Sequence, residues 1–181
     1  MLNAFAKTKS CGFSLVELMV GIVIMVILAT LAVPSFQTWL RNSEIRNAAE
    51  SIANGLQRAR AEAVGRNTNV EFVLGADGTA SSWVVRVVSD PLPPIDSRSG
   101  NEGSKNVTVN AWAADLATAA TTVTFNSLGG VAANVPASAS LTQVDVAAPG
   151  GNQNLRVEIK TGGSARMCDP NLAPGSSPRA C

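Results

Sequence analysis

One apolar run dominates this sequence. Residues 13–33 read FSLVELMVGIVIMVILATLAV, 21 residues with a single charge, that of Glu17. At about 1.5 Å per residue, a helix of this length covers about 30 Å, the thickness of the hydrocarbon core of a bilayer. The run therefore predicts a membrane-spanning helix.

The charges before the run predict its orientation. Lys7 and Lys9 precede it, and no acidic residue does. By the positive-inside rule, the short segment before the run stays in the cytoplasm and the chain after Pro34 lies outside. We therefore expect a single pass through the membrane.

Glu17 is the anomaly in this run. A carboxylate costs about 2.5 kcal/mol or more at the middle of a bilayer, and less near an interface. One interpretation is a tolerated charge that reaches the headgroups. The other is a partner outside this segment, since a chain cut just before Phe13 presents a positive amine that can neutralise Glu17 in a neighbouring copy.

The stretch GFSLVEL, residues 12–18, with basic residues upstream, resembles the processing site of type IV pilins and type II secretion pseudopilins. The resemblance implies that residues 1–12 are a leader, that a prepilin peptidase cuts between Gly12 and Phe13, and that Phe13 is N-methylated. It makes Glu17 the carboxylate used in assembly and matches Pro34 to a proline of many pilins. It also implies residence in the bacterial inner membrane, with a periplasmic domain, before entry into a pilus or pseudopilus.

A secretory signal is the rival interpretation of the same run. Lys7 and Lys9, an apolar core and the sequence TLA at 30–32 also fit a signal peptide cut after Ala32. Against it, Glu17 interrupts the apolar region, which is also unusually long for a signal.

Beyond the run, residues 35–65 predict an amphipathic continuation of the helix. Pro34 predicts a kink there, because it lacks an N–H and crowds the carbonyl of Thr30. Gly65 is the expected end of the helix, and Arg58, Arg60 and Arg66 are expected on its solvated face. A narrow stripe, five of whose eight members are alanine, suits close packing on a sheet: Ile45, Ala48, Ala49, Ile52, Ala53, Leu56, Ala59 and Ala63.

After residue 65 the apolar period changes to two, which is typical of strands. Residues 90–106 are rich in Pro, Gly, Ser and charge and predict a loop. No second helix is predicted to cover the sheet, so residues 66–181 predict an antiparallel β domain under the long helix, an α+β fold whose sheet can split into two layers. Strands are predicted at 69–74, 82–88, 107–112, 121–126, 141–147, 154–160 and 164–167.

The segment VTFNSLGGV, residues 123–131, narrows the resemblance. It is similar to a segment of the GspH/FimT/FimU family of minor pilins and pseudopilins, although Gly129–Gly130 alone predicts only a plain turn. The resemblance, strongest to FimU-like minor pilins, implies a structural subunit for pilus assembly or priming, with other pilin subunits and the prepilin peptidase and methyltransferase as partners. A type II secretion pseudopilin and a DNA-binding FimT-like pilin are the alternatives.

Composition argues against an enzyme. The chain has no His and three Cys, which removes Ser-His-Asp and Cys-His nucleophile systems and zinc sites of the His-containing or four-cysteine kind. No Gly-rich phosphate loop or nucleophile elbow is present, and we expect no cofactor. A formal charge of +1 argues against a broad nucleic-acid-binding surface.

The cysteines predict one disulfide. Cys11 lies in the predicted leader, which leaves Cys168 and Cys181 for a periplasmic chain. A Cys168–Cys181 bond closes a loop, residues 168–181, and stabilises the fold by about 3 kcal/mol in the chain-entropy model. This loop carries three prolines and resembles the Cys-bounded region of FimU-like minor pilins, which makes it a candidate partner contact.

A weak phosphate-contacting patch is the basis of the DNA alternative. The FimT-like branch implies a pair of arginines near the end of the domain, whereas the stretch GGSARMCDP carries Arg166 alone. We expect ordinary surface charge balanced by Glu158 and Asp169. The candidate DNA contacts are Arg156, Lys160, Arg166 and Arg179.

Overall fold

A computed structural model describes residues 12–181 and confirms the α+β fold. The predicted leader residues Lys7, Lys9 and Cys11 lie outside this range. Within residues 12–181 the chain forms one α-helix and nine β-strands. The elements are α1 Leu15–Arg66, β1 Val70–Leu74, β2 Trp83–Val87, β3 Asp96–Arg98, β4 Thr108–Trp112, β5 Thr122–Phe125, β6 Val131–Ala132, β7 Gln143–Ala147, β8 Leu155–Ile159 and β9 Ala165–Cys168.

The strands form two antiparallel sheets, as the predicted split into layers allows. The first has the order β3-β2-β1-β5-β6 and the second the order β4-β7-β8-β9. All seven predicted strands are present, as β1, β2, β4, β5, β7, β8 and β9. Register follows the alternation of apolar residues, with Phe72 opposite both Val85 and Val123.

The chain divides into two compact units, of which the first ends at Gln37 and the second runs Thr38–Cys181. In the first unit, α1 has exposed side chains throughout and contains Pro34. In the second, the helix supplies the cover of the sheets. The eight stripe positions predicted from sequence are all buried there, together with Ser51 and Gly55.

Small residues in the stripe bring the helix close to the first sheet. A Cβ added at Gly55 would lie 2.8 Å from Cε2 of Phe72 and 3.0 Å from Cδ2 of Trp83. The two aromatic rings stack with centroids 5.9 Å apart. Gly55 is therefore the point of closest approach that lets these rings fill the core below the helix.

The helix ends one residue later than Gly65, which was the predicted end. Asn67 takes the left-handed conformation with a φ of 50°. Its N–H donates to the Val64 carbonyl at 3.3 Å, and the Thr68 N–H donates to the Ala63 carbonyl at 3.2 Å. This pair of bonds is the Schellman motif, and asparagine tolerates the left-handed position well enough to replace glycine there.

Residues 90–106 were predicted to form a loop. The structure instead has the strand β3 within them. Asp96–Arg98 pairs with β2, and the Ile95 N–H donates to the Val85 carbonyl at 2.8 Å. The Arg98 side chain then bonds the carbonyls of Asn47 and Glu102. A three-residue strand is too short to show alternation, so the sequence pattern could not predict it.

The short strand β6 also escaped prediction. It pairs with β5 across the turn 126–130, where Gly129 has a φ of 78°. The predicted turn at Gly129–Gly130 is therefore present, and it closes a hairpin. Two residues of strand are below the length at which a period of two can be recognised.

Candidate functional site

The apolar helix of the first unit presents its side chains outward. Phe13 is 83% exposed, and the most apolar window of α1 has the length and composition that a bilayer span needs, with none of its residues buried. Glu17 is the acidic residue of the first helical turn. The segment therefore exposes a continuous apolar surface that needs either lipid or neighbouring protein to cover it.

Gly12 and Phe13, the predicted cleavage pair, lie before the start of the helix at Leu15 and are both exposed. Helical bonding begins with the Leu18 N–H, which donates to the Ser14 carbonyl at 3.1 Å. The peptide bond between Gly12 and Phe13 is thus outside regular structure. A protease that binds its substrate in extended form needs such a segment.

Pro34 lies inside α1, which continues through it to Arg66. Hydroxyl groups on both sides bond to backbone carbonyls, with Thr30 donating to Ile27 at 2.8 Å and Ser35 to Ala32 at 2.9 Å. Both are local bonds to the carbonyl three residues earlier, and neither reaches the Thr30 carbonyl, the acceptor that a helical N–H at position 34 would serve.

The predicted disulfide is confirmed. Cys168 at the end of β9 bonds to Cys181, with Cα atoms 5.0 Å apart. The backbone closes the same loop, because the Asp169 N–H donates to the Arg179 carbonyl at 2.7 Å and Arg166 donates to the Ala180 carbonyl at 3.2 Å. Loop 168–181 is therefore held at its base while most residues between are exposed.

Residues 12–181 contain one cluster with metal-ligand chemistry, and it is not a metal site. A carboxylate oxygen of Glu158 and the sulfurs of Cys168 and Cys181 lie within 4.8 Å of one another. The two sulfurs share a disulfide, so neither is the thiolate that a metal needs.

Three of the four candidate DNA contacts engage carboxylates. Arg156 donates to both oxygens of Asp145, at 2.6 and 3.3 Å. Glu158 pairs with Lys160 at 3.2 Å and with Arg166 at 3.7 Å.

Glu158 therefore balances the charges of Lys160 and Arg166, as predicted. Arg156 pairs with Asp145, and not with the predicted Asp169. Asp145 faces Arg156 across the β7–β8 register, a relationship set by pairing and not by nearness in sequence. Arg179 lines a cleft together with Asp169, Asn42 and Arg46. Three of the four cations therefore pair with Asp145 or Glu158, which leaves less positive charge for a phosphate.

Of the three arginines near the end of the helix, Arg58 and Arg66 lie on the predicted polar face, and Arg60 is the exception. Glu62 pairs with Arg58 at 2.9 Å and with Arg66 at 2.6 Å. Hydrogen bonding from Arg66, with the charge of Arg58, lowers the pKa of Glu62. Arg60 instead donates to the Gly129 carbonyl at 2.9 Å and holds the β5–β6 turn.

Comparison with known proteins identifies the family. Residues 48–163 match the sequence profile of the GspH family, described as type II transport protein GspH. The chain belongs to the GspH family. Residues 7–33 of this GspH-family protein match the prokaryotic N-terminal methylation motif.

Solved structures share the fold of this GspH-family protein. The type IV minor pilin FimU of Pseudomonas aeruginosa is 21% identical, with a TM-score of 0.54 over 74% of this chain and 94% of FimU. The minor pseudopilin EpsH from the type 2 secretion system of Vibrio cholerae is 13% identical, with a TM-score of 0.51 over 71% of this chain and 99% of EpsH. No curated protein sequence matches the chain.

Proposed function

We propose that this GspH-family protein is a minor type IV pilin, a structural subunit that takes part in pilus assembly or priming and has no catalytic role. The observation that carries the proposal is an apolar helix with exposed side chains, Glu17 in its first turn, ahead of a compact α+β unit. Such a helix is stable in a membrane and, later, among the helices of a filament.

Cleavage of the leader supplies a positively charged amine as the partner of Glu17. A prepilin peptidase cleaves between Gly12 and Phe13, and the new amino terminus of Phe13 is methylated and stays positively charged. The methylation motif at residues 7–33 and the exposed position of Gly12 and Phe13 support this step. Before assembly the segment 13–34 spans the inner membrane once, with the unit Thr38–Cys181 in the periplasm.

The positive charge of the Phe13 amine then takes part in filament assembly. In the filament, the amine of Phe13 in one subunit neutralises the Glu17 carboxylate of a neighbour, while the apolar side chains of residues 13–33 pack together. The attraction between two charges is strong where water is excluded, and leaving either charge unpaired there is costly. The pair therefore specifies axial register, and apolar packing supplies most of the affinity.

Loop 168–181 is our candidate for a contact with another subunit. It is closed by the Cys168–Cys181 bond and stiffened by Pro170, Pro174 and Pro178, so little order is lost when a partner binds it. Deleting residues 169–180 tests the contact, since a loop without a partner can be removed with no change in pilus assembly.

A pseudopilin of a type II secretion system is the second candidate. The description of the family and the fold shared with EpsH favour it. Both candidates predict the same processing and helix packing. Deletion of the gene therefore distinguishes a pilus from a secretion system. Loss of surface pili with normal protein secretion supports the pilus, and the reverse result supports secretion.

The mature amino terminus tests the proposal directly. Mass spectrometry of the full-length gene product, purified from its host, should find a chain that begins with N-methylated Phe13, and deletion of the prepilin peptidase should restore residues 1–12. A chain that begins at Val33 would establish an ordinary secretory signal and end the proposal.

A further inference from the structure

The guanidinium of Arg179 is exposed on loop 168–181. Within the described part of the chain it makes no hydrogen bond or ion pair, whereas Arg156, Lys160 and Arg166 all pair with carboxylates. Most arginines of folded proteins are exposed, so exposure alone does not indicate a site. Arg179 differs because it lines a cleft whose surrounding backbone is ordered.

Hydrogen bonds fix the backbone on two sides of this cleft. Asn42 on α1 accepts the N–H groups of Asn152 and Gln153 at 3.0 and 3.3 Å, which ties the helix to the chain before β8. On the loop, the Arg179 carbonyl accepts the Asp169 N–H at 2.7 Å. The cleft is therefore ordered before a partner arrives, which reduces the entropy lost on binding.

The cleft has room for a side chain and offers it apolar walls. Its volume is about 210 Å³, far above the about 10–15 Å³ that one water molecule needs. Leu155 and Met167 are half-buried. We call it the 179 cleft, and its lining residues include Asn42, Arg46, Leu155, Met167, Asp169 and Arg179.

Positive charge exceeds negative charge among the described residues that line the 179 cleft. Arg46 and Arg179 carry two positive charges, and Asp169 carries the one negative charge. Arg46 donates to Glu50 through Nε at 3.0 Å. Asp169 Oδ1 accepts the Asn171 N–H at 2.9 Å, and this carboxylate makes no ion pair with Arg179. The guanidinium of Arg179 is therefore the cation available to an incoming group.

We propose that the 179 cleft binds an aspartate or glutamate side chain of a different filament subunit, with Arg179 as the anchor, an inference that rests on the proposed function. It gives a chemical class to the contact proposed for loop 168–181. A guanidinium binds a carboxylate through two parallel N–H···O bonds, and arginine is suited to such pairs at interfaces. Because a minor subunit has mainly other subunits as neighbours, the acidic side chain belongs to a different chain.

The charges around the cleft favour a protein carboxylate over a nucleic acid. A phosphate backbone is bound by several cations that lie along it. Asp169 lines the same cleft as Arg179, and Glu50 pairs with Arg46, so both carboxylates would repel successive phosphates. A single carboxylate needs only one guanidinium, and the apolar walls suit the methylene groups that carry it.

A zero-length cross-link tests the contact in the full chain. Arg179→Lys keeps the positive charge and adds a primary amine, which a carbodiimide joins to a carboxylate in ion-pair contact, forming an amide with loss of water. A tagged copy of this variant is produced in the host, and its sheared filaments are treated and analysed by mass spectrometry. Lys160 is the internal positive control, since its Nζ lies 3.2 Å from Glu158.

We expect residue 179 of this variant to be joined to an aspartate or glutamate of a different filament subunit. A link from residue 179 to Asp169 or Glu50 of the same chain would overturn the inference, as would a link to a second copy. So would filaments in which Lys160 is joined to Glu158 and residue 179 is joined to nothing.

Charge reversal measures how much the contact contributes. We expect Arg179→Glu to lower incorporation into filaments about tenfold, as loss of an anchor residue does. Lys105→Glu, in the exposed loop before β4, makes the same change in net charge and should be incorporated normally. Both variants should be cleaved before Phe13 and should unfold at the wild-type temperature.

The readouts distinguish the two levels of the proposal. Wild-type incorporation of the Arg179→Glu protein would overturn the role of the 179 cleft and leave the pilin function intact. Retardation of double-stranded DNA by the purified wild type, lost in Arg179→Glu, would assign the arginine to phosphate and overturn the carboxylate contact. Absence of the wild-type protein itself from filaments would remove the proposed function, and this inference with it.

Discussion

The indole Nε1 of Trp83 donates a hydrogen bond of 2.8 Å to the hydroxyl of Ser51, inside the interface between α1 and the first sheet. Both residues are buried. A polar bond between a helix and a sheet that otherwise meet through apolar side chains fixes their register, because either partner alone would be an unsatisfied buried group.

We expect Ser51→Ala to lower the free energy of unfolding by about 1–3 kcal/mol, because the indole N–H loses its acceptor. Adding Trp83→Phe to Ser51→Ala removes the donor as well. The double variant should lose less than the sum of the two single variants. Circular dichroism during guanidinium unfolding of the full chain in mild detergent measures all four proteins. Strict additivity would show that the bond contributes nothing.

Two glycines of the same helix should respond oppositely to alanine. Gly55→Ala forces a methyl group against Phe72 and Trp83, and overpacking of this kind costs about 1–3 kcal/mol, more than the gain of about 1 kcal/mol in helix propensity. Gly65→Ala meets nothing within 4 Å and should stabilise by about 0.5–1 kcal/mol. Thermal unfolding of both variants checks the signs. A stabilising Gly55→Ala would contradict the close packing described for α1.

The Cys168–Cys181 bond should stabilise the second unit. Its two cysteines are 13 residues apart, and closure of such a loop contributes about 3 kcal/mol in the chain-entropy model. Cys181→Ser should therefore lower the unfolding temperature, and reductant should lower that of the wild type to the same value. Cys11→Ser is the control, since the predicted cleavage removes it. Equal stability of the oxidised and reduced proteins would contradict a structural role.

Asp77 gives the fold a pH dependence. Hydrogen bonding with the side chains of Ser82 and Thr79, with the Thr79 N–H and with the Ser99 hydroxyl lowers the pKa of this carboxyl well below its usual range. The unfolded value is about 3.9, so the stabilisation is fully present above that pH and is lost as the pH falls further, when the folded protein must take up a proton.

We therefore expect Asp77→Asn to unfold at a lower temperature than the wild type at pH 7, with the difference shrinking below about pH 4. Asp90→Asn, in the exposed loop before β3, is a matched control for the loss of one surface charge. A constant difference between pH 7 and pH 3 would show that hydrogen bonding to the ionised carboxylate is not the cause.

Local periodicity predicted the parts of the fold that repeat. The stripe from Ile45 to Ala63 spans several turns of one helix, and each of its members faces the same core, so sequence spacing alone identified the buried face. Strands such as β7 and β8 alternate over five residues and were recognised for the same reason.

Features made by contacts between distant residues escaped prediction. β3 depends on Arg98 reaching Asn47, 51 residues away, and the pairing of Arg156 with Asp145 depends on the β7–β8 register. The left-handed residue at the helix end is Asn67 and not the predicted Gly65, because asparagine also tolerates that conformation. Leu128 was visible as an apolar residue in the polar turn NSLGG, but its exposure is a property of the fold.

If Glu17 takes part in filament assembly through the Phe13 amine of a neighbour, as we propose, loss of its carboxylate should prevent incorporation. The most direct measurement is quantitative immunoblotting of sheared filaments from a host that produces either the wild type or Glu17→Ala at equal membrane levels, with processing before Phe13 verified for both. We expect the wild type to enter filaments and the processed Glu17→Ala protein to stay in the membrane. Wild-type incorporation of Glu17→Ala would contradict it.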